Sequence, residues 1–423
     1  MKKIRILAVL MMVCLLFGGS VVSADSSDEP VDIVLWAFAD THARYFEYIS
    51  EQYNAEHPNV NVTVEVMDGT SLRDRLKVCI AAGGEGAPDL ADIEQGTFPS
   101  FMNEDSMCFY PLEELLERDG LQDAMVKSRL DLYAYEGHYY GLEHALCPVT
   151  MAYRPDLFEQ YGIEIPTTWD EYKAAAHTFK DNGIYITSQG DLRTGITAMI
   201  SMFAIASGND IVDENGEFQF TDGYIEIIEE YKQLVDDGCV FVAETDDDKY
   251  FEISENRVAT EFAADWAAGW LRDNVPEQSG LWAVAPLPKF YDDSARVSVN
   301  GGTGLCMLEY VPDEKRETVW DFMKYAMLDP ENCVTKYNMV SLYPPVYAAM
   351  EACNTPVEYY GGQNLGELWQ ELAPETPSQY QAAFRAQYTE VVNTYLYDYV
   401  EGNMPIEEFA EAVKADMEQY IQQ

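Results

Sequence analysis

Positive charge is what this sequence has least of. Its 423 residues carry 26 Lys and Arg against 74 Asp and Glu, a formal net charge of −48. Such a chain repels nucleic acid and anionic membrane surfaces, so neither is expected as a partner. Histidine is scarce as well. His42, His57, His138, His144 and His177 are the full set, and their spacing forms no metal-ligand motif. No metal and no cofactor are therefore expected. The phosphate loop GxxxxGK[ST], the GxSxG elbow and HExxH are all absent, and "GGEGAPD" does not fit GxGxxG. There is no CxxC pair. Beyond Cys14, the cysteines are Cys79, Cys108, Cys147, Cys239, Cys306, Cys333 and Cys353. Their odd number in a long chain predicts buried thiols rather than a disulfide framework. Internal repeats and low-complexity linkers are missing too.

The one extended apolar run lies at the start. "MKKIR" is basic, "ILAVLMMVCLLFGG" is apolar, and Val22-Ser23-Ala24 is a small-x-small cleavage site. Residues 1–24 thus read as an export signal. Cys14 sits inside the apolar run behind Val13, which is no lipoprotein signal. No later segment is long and apolar enough to span a membrane. The mature chain is expected to be exported: extracellular, at the cell surface or periplasmic. It is 48% hydrophobic and 13% aromatic over its full length. That suffices for two domains, with aromatics enough to furnish ligand-stacking surfaces beside the core.

The first hundred residues alternate between two periods. "VDIVLWAF" (31–38) reads as a buried strand. Asp40 or Thr41 then caps a helix with Tyr45, Phe46, Ile49 and Tyr53 on one face, ending before Pro58. "NVNVTVEV" alternates Val60, Val62, Val64 and Val66. A helix over 71–82 stops at Gly83-Gly84, and "APDLADI" is the next strand. This β-α-β-α-β run predicts an open, largely parallel sheet. Further on, "VDENGEFQF" reads as a hairpin turning at Asn215-Gly216. A helix covers 223–238, "ETDDDKY" is expected as a solvated loop, and 317–328 is helical. Two helices flank Gly402 and Pro405 at the C-terminal end. "VSVNGGTGLCML" (297–308) is a strand broken by a glycine loop.

The most specific text is "YEGHYYGLEHALCPVTMAYRPDLFEQYGIEIPTTWDEY" (135–172). Gly137, Tyr140, Gly141, Tyr153, Asp156-Leu157-Phe158, Gly162-Ile163, Pro166 and Thr168-Trp169-Asp170-Glu171 resemble the extracellular solute-binding proteins, family 1, of ABC importers. Glu143 stands where the family has proline, and Arg154-Pro155 where it has Asn-Lys. "APDLADI", "ENRVATEFAADWAAGW" (255–270), "VAPLPKF…VNGGTG" and "SLYPPV" resemble further family segments in the expected order. The wording "PLPKF…SVNGGTG" is most similar to arabino-oligosaccharide binders. The resemblance implies an α/β, two-lobed, type II periplasmic-binding-protein fold closing by hinge motion over a ligand, with no catalysis. The lobes would be 25–143 with 289–333, and 144–288 with 334–423.

A ligand of an open α/β sheet gathers past the carboxyl ends of the strands. That rule selects Trp36, Phe38 and Asp40 after the first strand, Glu94 and Gln95 after "PDLADI", and Asp191 after "IYITS". Tyr153, ending a strand beside a lobe crossing, joins them. The resemblance adds Asp265, Trp266 and Trp270, then Asn300, Gly301, Gly302 and Thr303, and Tyr343 in the late turn. Core packing would account equally for each aromatic. The implied function is capture of a carbohydrate, an oligosaccharide foremost, and delivery to the transmembrane subunits of an ABC permease by a monomer. Two alternatives stay open. The same fold can hold a polyamine or other cation, as the acidity suggests. A polysaccharide-degrading enzyme needs only two facing carboxylates, and some such pair always exists among 74 acids.

Overall fold

The computed structural model describes residues 30–103, 106–190 and 195–422. The expected export signal and Asp191 lie outside them. Strand β1 (Val31–Ala37) leads through helix α1 (Asp40–Glu56) to β2 (Val60–Val66), then through α2 (Gly69–Ala81) to β3 (Leu90–Glu94). All three strands are parallel, in the order β2-β1-β3. Tyr45, Phe46, Ile49 and Tyr53 of α1 are buried, as their spacing predicts. Helix α1 has no side-chain cap: Ala39 holds the N-cap position, and Asp40 is the first helical residue. On β2 the alternation fades, with Val60 and Val62 buried but Val66 exposed. An edge strand has one flank open to water.

A short hairpin of β4 (Ala134–Tyr135) and β5 (His138–Tyr139) precedes β6 (Gly141–Glu143). The chain then leaves the first sheet and enters the second as β7 (Pro148–Tyr153). That sheet adds β8 (Tyr185–Gln189), β9 (Val240–Val242), β10 (Val258–Ala263), β11 (Ala283–Ala285) and β12 (Ser298–Val299). Its order is β11-β7-β10-β8-β9, with β12 also on β7. β13 (Thr303–Met307) returns to the first sheet between β3 and β6, antiparallel to both. Each sheet has its own core. Helices 313–327 and 330–340 pack on the first; helices 385–400 and 406–421 pack on the second.

Two boundaries differ from expectation. Residues 289–299 pack on the second sheet, where β12 pairs β7 and Ser298 Oγ donates to the Met202 carbonyl at 2.6 Å. Val340, Leu342 and Val346, expected with the second lobe, lie in the first core. Two local expectations also change. "ETDDDKY" is helical: Thr245 caps the helix 246–254, whose first turn holds Asp246, Asp247 and Asp248. Acids there complement the helix dipole. The expected hairpin reduces to one bridge, Val212 to Phe218, with the Asp213 carboxylate accepting from the Asn215 and Glu217 amides. All seven cysteines of the described residues are free and buried. Among those residues no helix is long and apolar enough to cross a membrane.

The corner at 153–172 forms as its residues dictate. Pro155 opens the helix 155–161 and Gly162, at φ 66°, closes it. Thr168 and Glu171 make a reciprocal capping box on the helix 169–181. Arg154 is buried, with its guanidinium on Asp156 at 2.9 and 2.7 Å and on Asn256 at 2.8 Å. Thr168→Ala should cost about 1 kcal/mol, read as a lower urea midpoint with an unchanged denaturant slope.

Candidate functional site

Three chain crossings join the sheets, at 144–147, 300–302 and near 341–346. One buried ion pair ties the first two. Arg129 Nη2 donates to Glu143 Oε2 at 3.1 Å and to the Gly301 carbonyl at 3.0 Å. Glu143 Oε1 also accepts the backbone N–H groups of Thr303 at 2.8 Å and His144 at 2.9 Å. Gly302, at φ 154°, is required here, because a Cβ would lie 2.5 Å from Glu143 Oε2 and 2.6 Å from Arg129 Nη2. Asp265 ties the third crossing. Its carboxylate accepts the N–H of Trp266 at 2.8 Å and of Tyr343 at 2.7 Å. Burial pushes its carboxyl up to about 7 despite those bonds.

Two cavities open beside these crossings, with Trp266 in the wall of both. The first, of about 330 Å³, faces the first sheet and is lined by Phe38, His42, Glu94, Glu143 and Gly301–Thr303 among others. The second, of about 180 Å³, faces the second sheet and includes Gln189, Met202, Lys249, Glu261, Trp270 and Asn300. Trp266 packs against both cores, and its Nε1 donates to the Asn300 carbonyl at 2.9 Å. Trp270 stands edge-on to it at 5.0 Å and is half exposed. A flat ring between two largely apolar compartments edged by a few polar groups suits a ligand with apolar faces and polar edges.

Charge is distributed unevenly. In the second cavity Lys249 pairs with Glu261 at 2.6 Å. Burial presses its ammonium down, but Glu261 outweighs that and holds it above the ordinary value. In the first, Glu94 has no cation beside it among the described residues. Burial raises its carboxyl, against the N–H groups of Gly96 and Thr97.

Sequence spacing gave no sign of a buried cluster behind that wall. Asp92, fully buried, accepts from His42 Nδ1 at 2.7 Å and from His144 Nε2 at 2.8 Å. Three potential metal ligands thus meet. The imidazoles, however, are stacked, with centroids 4.3 Å apart and planes 9° apart. Their lone pairs run nearly parallel, and an ion about 2 Å from both nitrogens would lie far out of both ring planes. The arrangement suits shared hydrogen bonds instead. Burial alone would raise Asp92, but His144 and His42 outweigh it and hold the carboxyl below the carboxylate range. Burial pushes the His144 imidazole down to about 3, against the pull of Asp92.

The candidate residues therefore divide. Phe38, Glu94, Trp266, Trp270, Asn300, Gly301, Gly302 and Thr303 line the two cavities. Five others do not. Trp36 is a core residue, because β1 is covered on both faces and Arg75 of α2 lies 4.3 Å over its ring. Asp40 is exposed, two residues before His42. Asp265 is sealed in the crossing it ties, and Tyr343 is buried with its hydroxyl on the Gly366 carbonyl at 3.0 Å. Tyr153 ends a strand that runs antiparallel to β10. The carboxyl end of β7 therefore points away from the cleft. Tyr153 pairs with Thr260, three residues before Ala263 at the cavity, or about 10 Å distant. Gln95 reaches the crossing by its backbone N–H, which donates to Gly302 at 3.0 Å; its side-chain Oε1 is buried without a partner. Asp191 lies outside the described residues. Lining residues missed include Thr41, His42 and His144 at the first cavity and Gln189, Lys249 and Glu261 at the second. His42, two residues past Asp40 in the same strand-to-helix turn, was within reach of the strand-end rule.

Two α/β lobes, three crossings and a ligand-sized cleft between them define a two-lobed binding protein. The type II periplasmic-binding-protein fold is this architecture. The model of the bacterial extracellular solute-binding proteins matches residues 39–332, and the chain belongs to that family. Membership makes it a binding protein rather than an enzyme. The arabinooligosaccharide-binding protein of Halalkalibacterium halodurans is 26% identical over 382 residues, 84% of this chain and 82% of that protein. Among solved structures, the sugar-binding protein MalE of Xanthomonas citri superposes with a TM-score of 0.77 at 16% identity, covering 92% of this chain and 97% of that one. An ABC-transporter-associated binding protein of B. animalis subsp. lactis Bl-04, bound to β-1,6-galactobiose, gives a TM-score of 0.70 at 21% identity, covering 93% and 98%.

Arg129→Met should cost about 3–5 kcal/mol, since it leaves Glu143 charged and buried; urea unfolding measures this. A second outcome concerns pH. His144 lies below its ordinary 6.5, so its contribution is complete above pH 6.5 and lost as pH falls, by up to about 1.4 kcal/mol per unit. Asp265 lies above its ordinary 3.8, so its contribution is complete in acid and lost as pH rises towards 7. The two oppose each other between about pH 4 and 6.5. His144→Gln removes the opposing His144 slope and leaves that of Asp265. Its melting temperature should climb on acidification across that window relative to the parent protein.

Proposed function

We propose that the chain is the extracytoplasmic receptor of an ABC importer that captures a neutral oligosaccharide in the cleft flanking Trp266. The carrying observation is the indole itself. It walls both cavities and packs on both cores, so a sugar stacked there touches both lobes at once. Phe38 and Trp270 extend the apolar surface; Glu94, Asn300 and Thr303 supply polar contacts. Closure of the lobes over the sugar forms the surface a permease reads. The relatives' sugars support this class of ligand, and arabino-oligosaccharides come first because a relative aligned over most of the chain is named for them. Export by the N-terminal signal belongs to the same reading.

The unpaired Glu94 carboxylate also favours a second reading, a cationic solute such as a polyamine. Steep weakening of binding with salt would mark that ligand, because screening acts on charge.

Purified protein is titrated with arabino-, galacto- and malto-oligosaccharides, following Trp fluorescence and melting temperature. A true ligand at a hundred times its Kd should stabilise by about 2.7 kcal/mol. Trp266→Ala should weaken binding by about tenfold or more. No shift with any saccharide, alongside a shift with another solute class, overturns the proposal.

A further inference from the structure

The Asp92 cluster fixes protons as well as positions. An ionised carboxylate only accepts hydrogen bonds. Each of its oxygens takes one imidazole, His42 through Nδ1 and His144 through Nε2. Both nitrogens therefore carry the hydrogen, and in its neutral form each ring keeps only a lone pair on the other nitrogen. For His144 that atom, Nδ1, is buried without a partner. For His42 it is Nε2, which bonds to no group among the described residues, on a residue that lines the first cavity.

The rest of that wall has the same polarity. Glu94 is a carboxylate without a cation among the described residues. Glu143 is an acceptor already filled by Arg129 and the N–H groups of Thr303 and His144. The cations nearby are turned to other tasks. Arg129 donates to Glu143 and to the carbonyls of Gly301 and Ala145; its remaining Nη1 is buried without a partner among the described residues, and Arg129 does not line the cavity. Lys336 is fully buried, over the Tyr45 ring at 5.4 Å, and does not line the cavity. The donors left to the cavity are neutral ones, such as the hydroxyls of Thr41 and Thr303.

We propose that Asp92 is a positioning residue: by fixing the tautomers of His42 and His144 it presents His42 Nε2, with Glu94, as acceptors to the ligand. The cavity then selects a solute offering hydroxyl or ammonium hydrogens at that wall, a neutral or amino sugar, and rejects one offering a carboxylate or phosphate. This rests on the cleft being the solute site. A misplaced acceptor there loses its hydration and meets lone pairs, an arrangement that builds specificity by repulsion.

The test pairs two measurements on the full mature chain. Calorimetry compares β-1,6-galactobiose, arabinotriose and a glucosamine disaccharide with digalacturonate. The uronate should bind about 100-fold more weakly than the best neutral sugar. Ring ¹⁵N NMR of the histidines should find His42 protonated at Nδ1 and His144 at Nε2. Asp92→Asn offers an amide N–H to one ring; where that ring is His42, the proton moves to Nε2 and the discrimination should shrink to about tenfold or less, and where it is His144 the discrimination should persist. Should that variant not fold, His42→Gln, which can present an amide N–H in place of the lone pair, serves the same comparison. Digalacturonate binding within about tenfold of the neutral sugars, or a parent protein with His42 protonated at Nε2, overturns this inference alone. Failure of every saccharide overturns the reading of the cleft and this inference with it.

Discussion

The Glu143–Arg129 pair is the contact on which the arrangement of the lobes depends. Both side chains are sealed from water, with exposures of 0% and 1%. A pair so placed pays a large desolvation penalty, and only complete hydrogen bonding offsets it. Here most of those bonds come from the crossings, while Arg129 Nη1 stays buried without a partner among the described residues. Thr303 and His144 supply backbone N–H groups, and Gly301 supplies a carbonyl. The crossings are thereby held at fixed positions relative to each other, rather than left as loops. Asp265 repeats the device one strand away, with Trp266 and Tyr343 as partners.

The cleft follows from that constraint. Gly301 and Gly302 have positive φ because the backbone passes within reach of Trp266 and the ion pair, where no side chain fits. Trp266 follows Asp265 directly, so the carboxylate that anchors the third crossing also aims the indole. Its ring nitrogen is spent on Asn300, which leaves the ring faces as its contribution to the cavities. The hinge and the stacking surface are thus one structure. A substitution at the ion pair acts on ligand affinity as well as on stability.

Much of this was legible in the sequence, and the exceptions share a cause. Periodicity located β1, α1, β2 and β3, and the prolines, glycines and capping box of 153–172 gave the corner residue by residue. Local signals of that kind need no knowledge of the other lobe. Strand-end reasoning selected Phe38 and Glu94, which line the first cavity. It failed at Tyr153 because it assumes a parallel strand, and direction within a sheet is a long-range property. Trp36 and Tyr343 failed for a related reason: an aromatic at a strand end or in a turn reads the same whether it faces a cleft or a core. The Asp92 cluster was invisible. His42 and His144 are about a hundred residues apart and meet only because β6 joins the first sheet beside β13. Glu143 was visible as a departure from the family's proline, and the structure shows its reason in Arg129.

The scarcity of positive charge finally becomes informative at the site. With 26 bases for 74 acids, most carboxylates on the surface go without a partner, and an unpaired one there says nothing. The buried acids are another matter, because each uncompensated charge away from water is costly. The cations of the cleft are assigned accordingly: Arg129 to Glu143, and Lys249 to Glu261, which also takes Ser188. Asp92 is served by two imidazole N–H groups instead of a cation. Glu94 is passed over, although it lies in the same wall. A half-buried carboxylate left with two backbone N–H groups and an open cavity is incompletely satisfied. A ligand that brings donors to it gains a charge-assisted hydrogen bond, the strong kind, and gains it against a group already stripped of much of its water.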